Sequence, residues 1–161
     1  MKTNFQDNHF IQTLIPMATD LSGDDVSSNV VANIANAKNV AILLTLSADT
    51  VAKPHLFKVH AAIANKTKKK SVDFVATPLA ADGTYGAPVE VSGDDGYNIL
   101  AATLTDGVHK FLFELKPIEF NNNDDFATDI TYVVLQKTSD SESGTFTGSA
   151  ELIKSELAVK G

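Results

Sequence analysis

At 161 residues, 43% apolar and 20% charged, the chain is long enough for one domain with a real core and too apolar to be a disordered one. Twenty acidic residues against 13 basic leave a net charge of −7, which argues against general nucleic-acid binding, because phosphate contacts need clustered cations. There is no cysteine for a disulfide or a thiolate metal site, and no apolar run of the roughly 20 residues that a membrane-crossing helix needs.

The first ten residues lack the apolar stretch of a signal peptide, so the expectation is either no export by that route or an export segment lying outside this sequence. Residues 1–9 read as a polar arm, and Phe10–Ile15 as a first strand ended by Pro16. Such an arm either frays or pairs with a neighbouring subunit by strand addition; in the second case Phe5 and Phe10 are its candidate contacts. Asp20–Ser28 is turn chemistry. Asn29–Ile34 fits a short strand or one helical turn. Val40–Leu46 is a continuous apolar run of strand length, expected to be buried on both faces.

Pro54–Asn65 is rich in alanine, yet its period is two. Phe57, Val59, Ala61 and Ile63 alternate with Lys58, His60 and Ala62, which predicts a half-buried strand with Lys58 and His60 on its wet face. Lys66–Lys70 follows as a charged tip. Ser71–Thr77 is the next strand, with Val72, Phe74 and Ala76 on one side. Pro78–Pro88 reads as a loop, Val89–Val91 as a short strand, and Ser92–Gly96 as a turn.

Tyr97–Thr105 and Val108–Phe113 flank Asp106-Gly107. That dipeptide between strand-like runs predicts a hairpin with a type I′ turn. Phe111, Phe113 and Leu115 share a face; after Pro117 the apolar set moves to Ile118 and Phe120, a one-residue phase change that fits a bulge. Asn121–Asp125 is a turn. In the strand after it, Thr128, Ile130, Tyr132 and Val134 form one face, and Asp129, Thr131, Val133 and Leu135 the other. Thr138–Gly148 is a polar loop. Ser149–Val159 fits a terminal helix or a strand, and the strand is favoured because the rest is β. About eight short strands with frequent turns predict an all-β fold, a β-sandwich or a Greek-key or jelly-roll-like barrel. Residues 10–161 form a single domain behind the arm, with no internal repeat.

Candidate sites are few. Asp24-Asp25, Asp94-Asp95 and Asp124-Asp125 are acidic pairs, and Asn122, Asp124 and Asp125 offer oxygens of the kind calcium takes. None fits an EF-hand loop, and Asp is equally a turn residue; no metal or cofactor is expected. Lys66, Lys68, Lys69 and Lys70 are the one basic cluster. It fits a contact with an acidic partner, but the favoured reading is a solvated tip that discourages edge pairing. The histidines lack zinc-motif spacing, and there is no nucleophile elbow or phosphate-binding glycine loop. No catalytic residue is assigned and no enzyme activity is expected.

From Leu56 onward the order of elements resembles that of head-decoration, or cement, proteins of tailed bacteriophages. The resemblance rests on Lys70-Ser-Val-Asp-Phe74, Phe111-Leu-Phe-Glu-Leu-Lys-Pro-Ile-Glu-Phe120, Asp125-Phe126 opening the strand to Leu135, and the final Ala150–Leu157. Near the start, Gly23-Asp24-Asp25-Val26-Ser27 has Asp25 where the family pattern carries an aromatic. The resemblance implies a β-sandwich-like fold, a virion location on the outer capsid surface after synthesis in the host cytoplasm, and a major capsid protein as partner. It also implies homo-oligomers, with a trimer favoured, and supplies no catalytic residues. The rival expectation is a β-sandwich ligand- or carbohydrate-binding module. Its sugar platform would need exposed aromatics, and the chain has no Trp and three Tyr. A tail or head-completion protein is a further alternative within the virion.

Overall fold

The computed structural model describes residues 9–22, 25–28, 37–48, 54–62, 69–100, 103–116, 132–138 and 147–156. They form eleven strands: β1 (His9–Asp20), β2 (Asp25–Ser27), β3 (Ala37–Ser47), β4 (His55–Ala62), β5 (Lys69–Ser71), β6 (Phe74–Leu79), β7 (Val89–Val91), β8 (Tyr97–Ile99), β9 (Val108–Leu115), β10 (Tyr132–Thr138) and β11 (Thr147–Glu156). One sheet has the order β1-β11-β3-β9-β6-β7; the other runs β2-β10-β4-β5, with β8 also paired to β4. Every pairing is antiparallel.

The period of two explains how the sheets face each other. Val40, Ile42, Leu44 and Leu46 of β3 are buried, as are Phe111, Phe113 and Leu115 of β9 and Ala150 and Leu152 of β11. The register lays these rows side by side, with Ile42 opposite Phe113 and Leu152. Phe57, Val59 and Ala61 of β4 and Val133 and Leu135 of β10 supply the facing layer. The rings of Phe57 and Phe113, from opposite sheets, lie 6.4 Å apart. One apolar cluster runs from Leu14 to Leu152 and takes in both sheets, the two-layer burial of a β-sandwich.

The expected strand at Pro54–Asn65 is β4, and the C-terminal segment is strand rather than helix. Other expectations need correction. Pro16 does not end β1, which continues to Asp20 through register shifts between Thr13 and Thr19. A proline is tolerated there because an edge strand leaves half its backbone donors unused. Ala18 takes φ 58°, and the Thr19 hydroxyl donates to the Pro16 carbonyl at 2.7 Å. The run Val40–Leu46 is buried on one face only; Ala41, Leu43 and Thr45 on the other are half-exposed. The predicted charged tip instead enters strand at Lys69, and the predicted loop after Thr77 starts two residues late, because β6 carries Pro78 and Leu79.

The Asp106-Gly107 hairpin does not form. β8 pairs with β4 in one sheet, whereas β9 pairs with β3 and β6 in the other. Among these two residues only Gly107 has positive φ, at 71°; a type I′ turn needs it at both. The chain between β8 and β9 crosses the sandwich, anchored by fully buried Leu104. Among the described strands only β4–β5 and β6–β7 are consecutive strands that pair. Residues 1–8, Asn29–Ile34, the Pro117 bulge, the Asn121–Asp125 turn and the face Thr128–Thr131 lie outside the described residues.

Candidate binding surface

With the apolar rows turned inward, the outer face of the six-stranded sheet is what the fold offers to a partner. Leu43 in β3 lies between Glu151 of β11 and Leu112 of β9, and the next row sets Thr45 between Ser149 and Lys110. Met17 and Ala18, lifted by the β1 bulge, wall one side of this surface, and Val108 the other. The result is an open groove of about 490 Å³. Its floor mixes apolar and hydroxyl groups, and Lys110 and Glu151 stand on the two strands flanking β3.

The edge beside the groove is also exposed. In β1, Ile11 is 64% exposed, Met17 87% and Phe10 42%. Phe10 keeps one contact inward: the Lys154 ammonium sits 5.2 Å from its ring centroid, a cation–π arrangement across the β1–β11 pairing. Phe10 is thus a partly exposed aromatic within β1. Phe5, Lys66 and Lys68 lie outside the described residues. Lys69 and Lys70 belong to β5, at an edge of the second sheet, and Lys70 is exposed. Phe10 and the lysines are therefore placed in different sheets.

Two polar features escaped the sequence reading. His60, expected on a wet face, is only 6% exposed. Its Nε2 lies 2.8 Å from the Gln136 side-chain oxygen on the neighbouring strand, and its Nδ1 3.4 Å from the Ser71 hydroxyl. Val134, opposite His60 in register, is also fully buried, so this part of the second sheet is covered on both faces. The contact is that of a buried histidine held by hydrogen bonds. The second feature is Lys137, which is fully buried opposite Phe57. Val133, Leu135 and Lys137 are spaced by two, so the alternation already assigned Lys137 to the inner face; its charge hid the signal.

Three ionisable groups are tuned by their immediate surroundings. Asp20 is held below the usual carboxylate range, chiefly by hydrogen bonds from Ser22, with a smaller contribution from the Lys137 ammonium. Asp82 is lowered in the same way by the Thr84 hydroxyl and backbone N–H, the latter at 2.9 Å. Burial pushes the Tyr97 phenol above its ordinary value. Asp94 and Asp95 are exposed in the turn after β7, and the Lys58 ammonium donates to the Asp94 carbonyl. Among the described residues no three His, Cys, Asp or Glu side chains come together as a metal site; the candidates Asn122, Asp124 and Asp125 lie outside them. No helix among the described residues is long and apolar enough to cross a membrane.

Fold and surface together define an antiparallel β-sandwich domain with one broad grooved face and, among the described strands, a long edge strand, β1. No family model matches the chain, and no curated protein does. Among solved structures it is similar to a chain in the structure of the infectious bursal disease virus Gx strain, at 16% identity and a TM-score of 0.38. That likeness covers 96% of this chain, which spans only 35% of the other's length.

Proposed function

We propose that the chain is a virion structural protein that decorates and cements the outer surface of a tailed-bacteriophage head, acting by adhesion rather than by bond chemistry. The observation that carries the reading is the set of exposed large apolar side chains on β1: Met17 at the wall of the outer-face groove, Ile11 farther along the strand, and Phe10 on the strand's opposite side. Large apolar side chains grouped at a surface mark sites of association. The sequence from Leu56 onward, whose order of predicted elements resembles that of cement proteins, supplies the kind of partner: a major capsid protein, with the chain bound as a homo-oligomer across capsomer boundaries. Binding of this kind contributes free energy only while the shell is assembled, so it makes disassembly less favourable.

The test is co-sedimentation of the purified protein with undecorated heads of the phage that encodes it, followed by thermal denaturation of the shells. Saturable binding and a raised shell-melting midpoint are expected. Heads that sediment without the protein would overturn the reading. A tail or head-completion role would show instead as binding to tails or to portal-bearing head vertices alone.

A ligand-binding module is the second reading, favoured by one observation. The groove sets Thr45, Ser47, Thr147 and Ser149 hydroxyls beside Lys110 and Glu151, a polar set able to orient a small polar molecule. Binding to a glycan array, lost on Lys110→Ala, would favour it over decoration.

A further inference from the structure

The sheet edges in this fold are unequal. β7 has three residues, includes Glu90, and is flanked by the Lys116–Glu90 ion pair at 3.6 Å. β5 has three residues, two of them Lys, β2 has three with an Asp, and β8 has three. Short strands and charges are how natural sheets keep their edges from pairing with other chains. β1 differs: it has 12 residues, and Phe10–Thr19 contains no charged residue in a chain that carries 33.

β1 is guarded over part of its length. Pro16 lacks a backbone donor, and the bulge with Ala18 at φ 58° breaks the ladder between Ile15 and Thr19. From His9 to Thr13 the register with β11 is unbroken. Among the described strands β11 is the sole partner of β1, which leaves the opposite side of this stretch without a described partner strand. Its exposed side chains there are apolar or neutral: Phe10, Ile11, Gln12 and Thr13.

We propose that His9–Thr13 is a strand-addition site and that its occupant is the same stretch of a second copy, paired antiparallel about a two-fold axis near Ile11. The charge distribution selects this occupant. Two copies of a chain with net charge −7 repel over most of their surface, and here they meet along a stretch that has no acidic residue of its own and carries the Lys154 ammonium over its Phe10 ring. The sequence is self-complementary in this register, with Ile11 opposite Ile11 and the Phe10 ring opposite Gln12, and no like charges face each other. Pro16 and the bulge fall beyond the ladder and limit its length. A five-residue ladder is small beside the roughly 800 Å² per partner of a stable interface, so pairing is concentration-dependent. An isologous contact of this kind closes at two copies, unlike the trimer that the resemblance implies. The inference rests on the strand edge and stands whether or not the chain binds a phage head.

The chain has no cysteine, so one can be placed at will. Directly opposed residues in an antiparallel pair have Cα atoms about 4.5–5.5 Å apart, within disulfide reach. Ile11→Cys is expected to form a disulfide-linked dimer under mild oxidation at least tenfold faster than Thr105→Cys or Val89→Cys, which are exposed elsewhere. In sedimentation velocity the wild-type protein should shift from monomer toward dimer as concentration rises, and Ile11→Lys should stay monomeric. Ile11 is 64% exposed, so both variants should keep the wild-type β circular-dichroism spectrum. Equal cross-linking at all three cysteines would overturn the proposal. So would a monomer at every concentration, or a trimer indifferent to Ile11→Lys. Head binding by a protein that never dimerises would sink this inference alone; dimerisation without head binding would sink decoration alone.

Discussion

Phe113→Ala tests the sandwich core directly. Phe113 is fully buried in β9, a strand with partners on both sides. Its ring centroid lies 4.8 Å from Phe74, 5.7 Å from Tyr97 and 6.4 Å from Phe57, so it touches aromatics of both sheets. Truncating a buried Phe to Ala costs about 3–5 kcal/mol through lost transfer energy and the cavity left behind. Aromatic pairs contribute about 0.5–1.5 kcal/mol each beyond area burial, which places the expected cost in the upper part of that range, about 4–5 kcal/mol. In a domain near this size each kcal/mol moves Tm by about 2–4 °C, so the midpoint should fall by roughly 8–20 °C. Urea and thermal denaturation followed by circular dichroism would measure it. Phe10→Ala is the internal comparison: at 42% exposure, with one cation–π contact, it should cost about 1 kcal/mol or less. A Phe113→Ala cost below about 1.5 kcal/mol, or one no larger than that of Phe10→Ala, would refute the inward assignment of the β9 face.

Three further outcomes follow from the same packing. Tyr97 has its phenol raised by burial, so its contribution to stability is complete below the unfolded value of 10.0 and is lost as pH rises through the folded one. Denaturation series from pH 9 to 11.5 should show a steeper alkaline fall for wild type than for Tyr97→Phe, and parallel curves would remove the effect. Gly93 is packed so that an added Cβ would sit 2.7 Å from the Val72 backbone. Gly93→Ala is therefore expected to cost about 1–3 kcal/mol in urea denaturation, and a neutral result would show that the turn shifts freely. Lys137→Met keeps the volume of a fully buried side chain while removing an ammonium that has interaction partners, the Asp20 carboxylate among them; taking that ammonium away is expected to cost about 1–3 kcal/mol in urea denaturation, and a variant at or above wild-type stability would show that the buried charge does not hold the strand.

The core strands β3, β4 and β9 are local statements, and the sequence by itself determined them, whereas β2 at Asp25–Ser27 lies in a segment whose composition reads as a turn. A period of two in Phe57-Val59-Ala61 and in Phe111-Phe113-Leu115 separates core side chains from surface ones, because successive Cβ atoms in an extended chain point to opposite faces. The same rule assigned Lys137 inward, had its charge been set aside. The uncharged run Phe10–Thr19 was equally visible, although its meaning was not. What only the tertiary structure decided is which strand lies beside which. Asp106-Gly107 has the composition of a hairpin, yet β8 and β9 enter different sheets, since pairing is settled by partners distant in sequence such as β3 and β4. His60 looks solvated in its own strand and is buried because Gln136, 76 positions away, and Ser71 close round it. The groove and the edge position of β1 are likewise products of sheet order. They exist because β1 pairs with the last strand of the chain and with no other described strand, which no local pattern encodes.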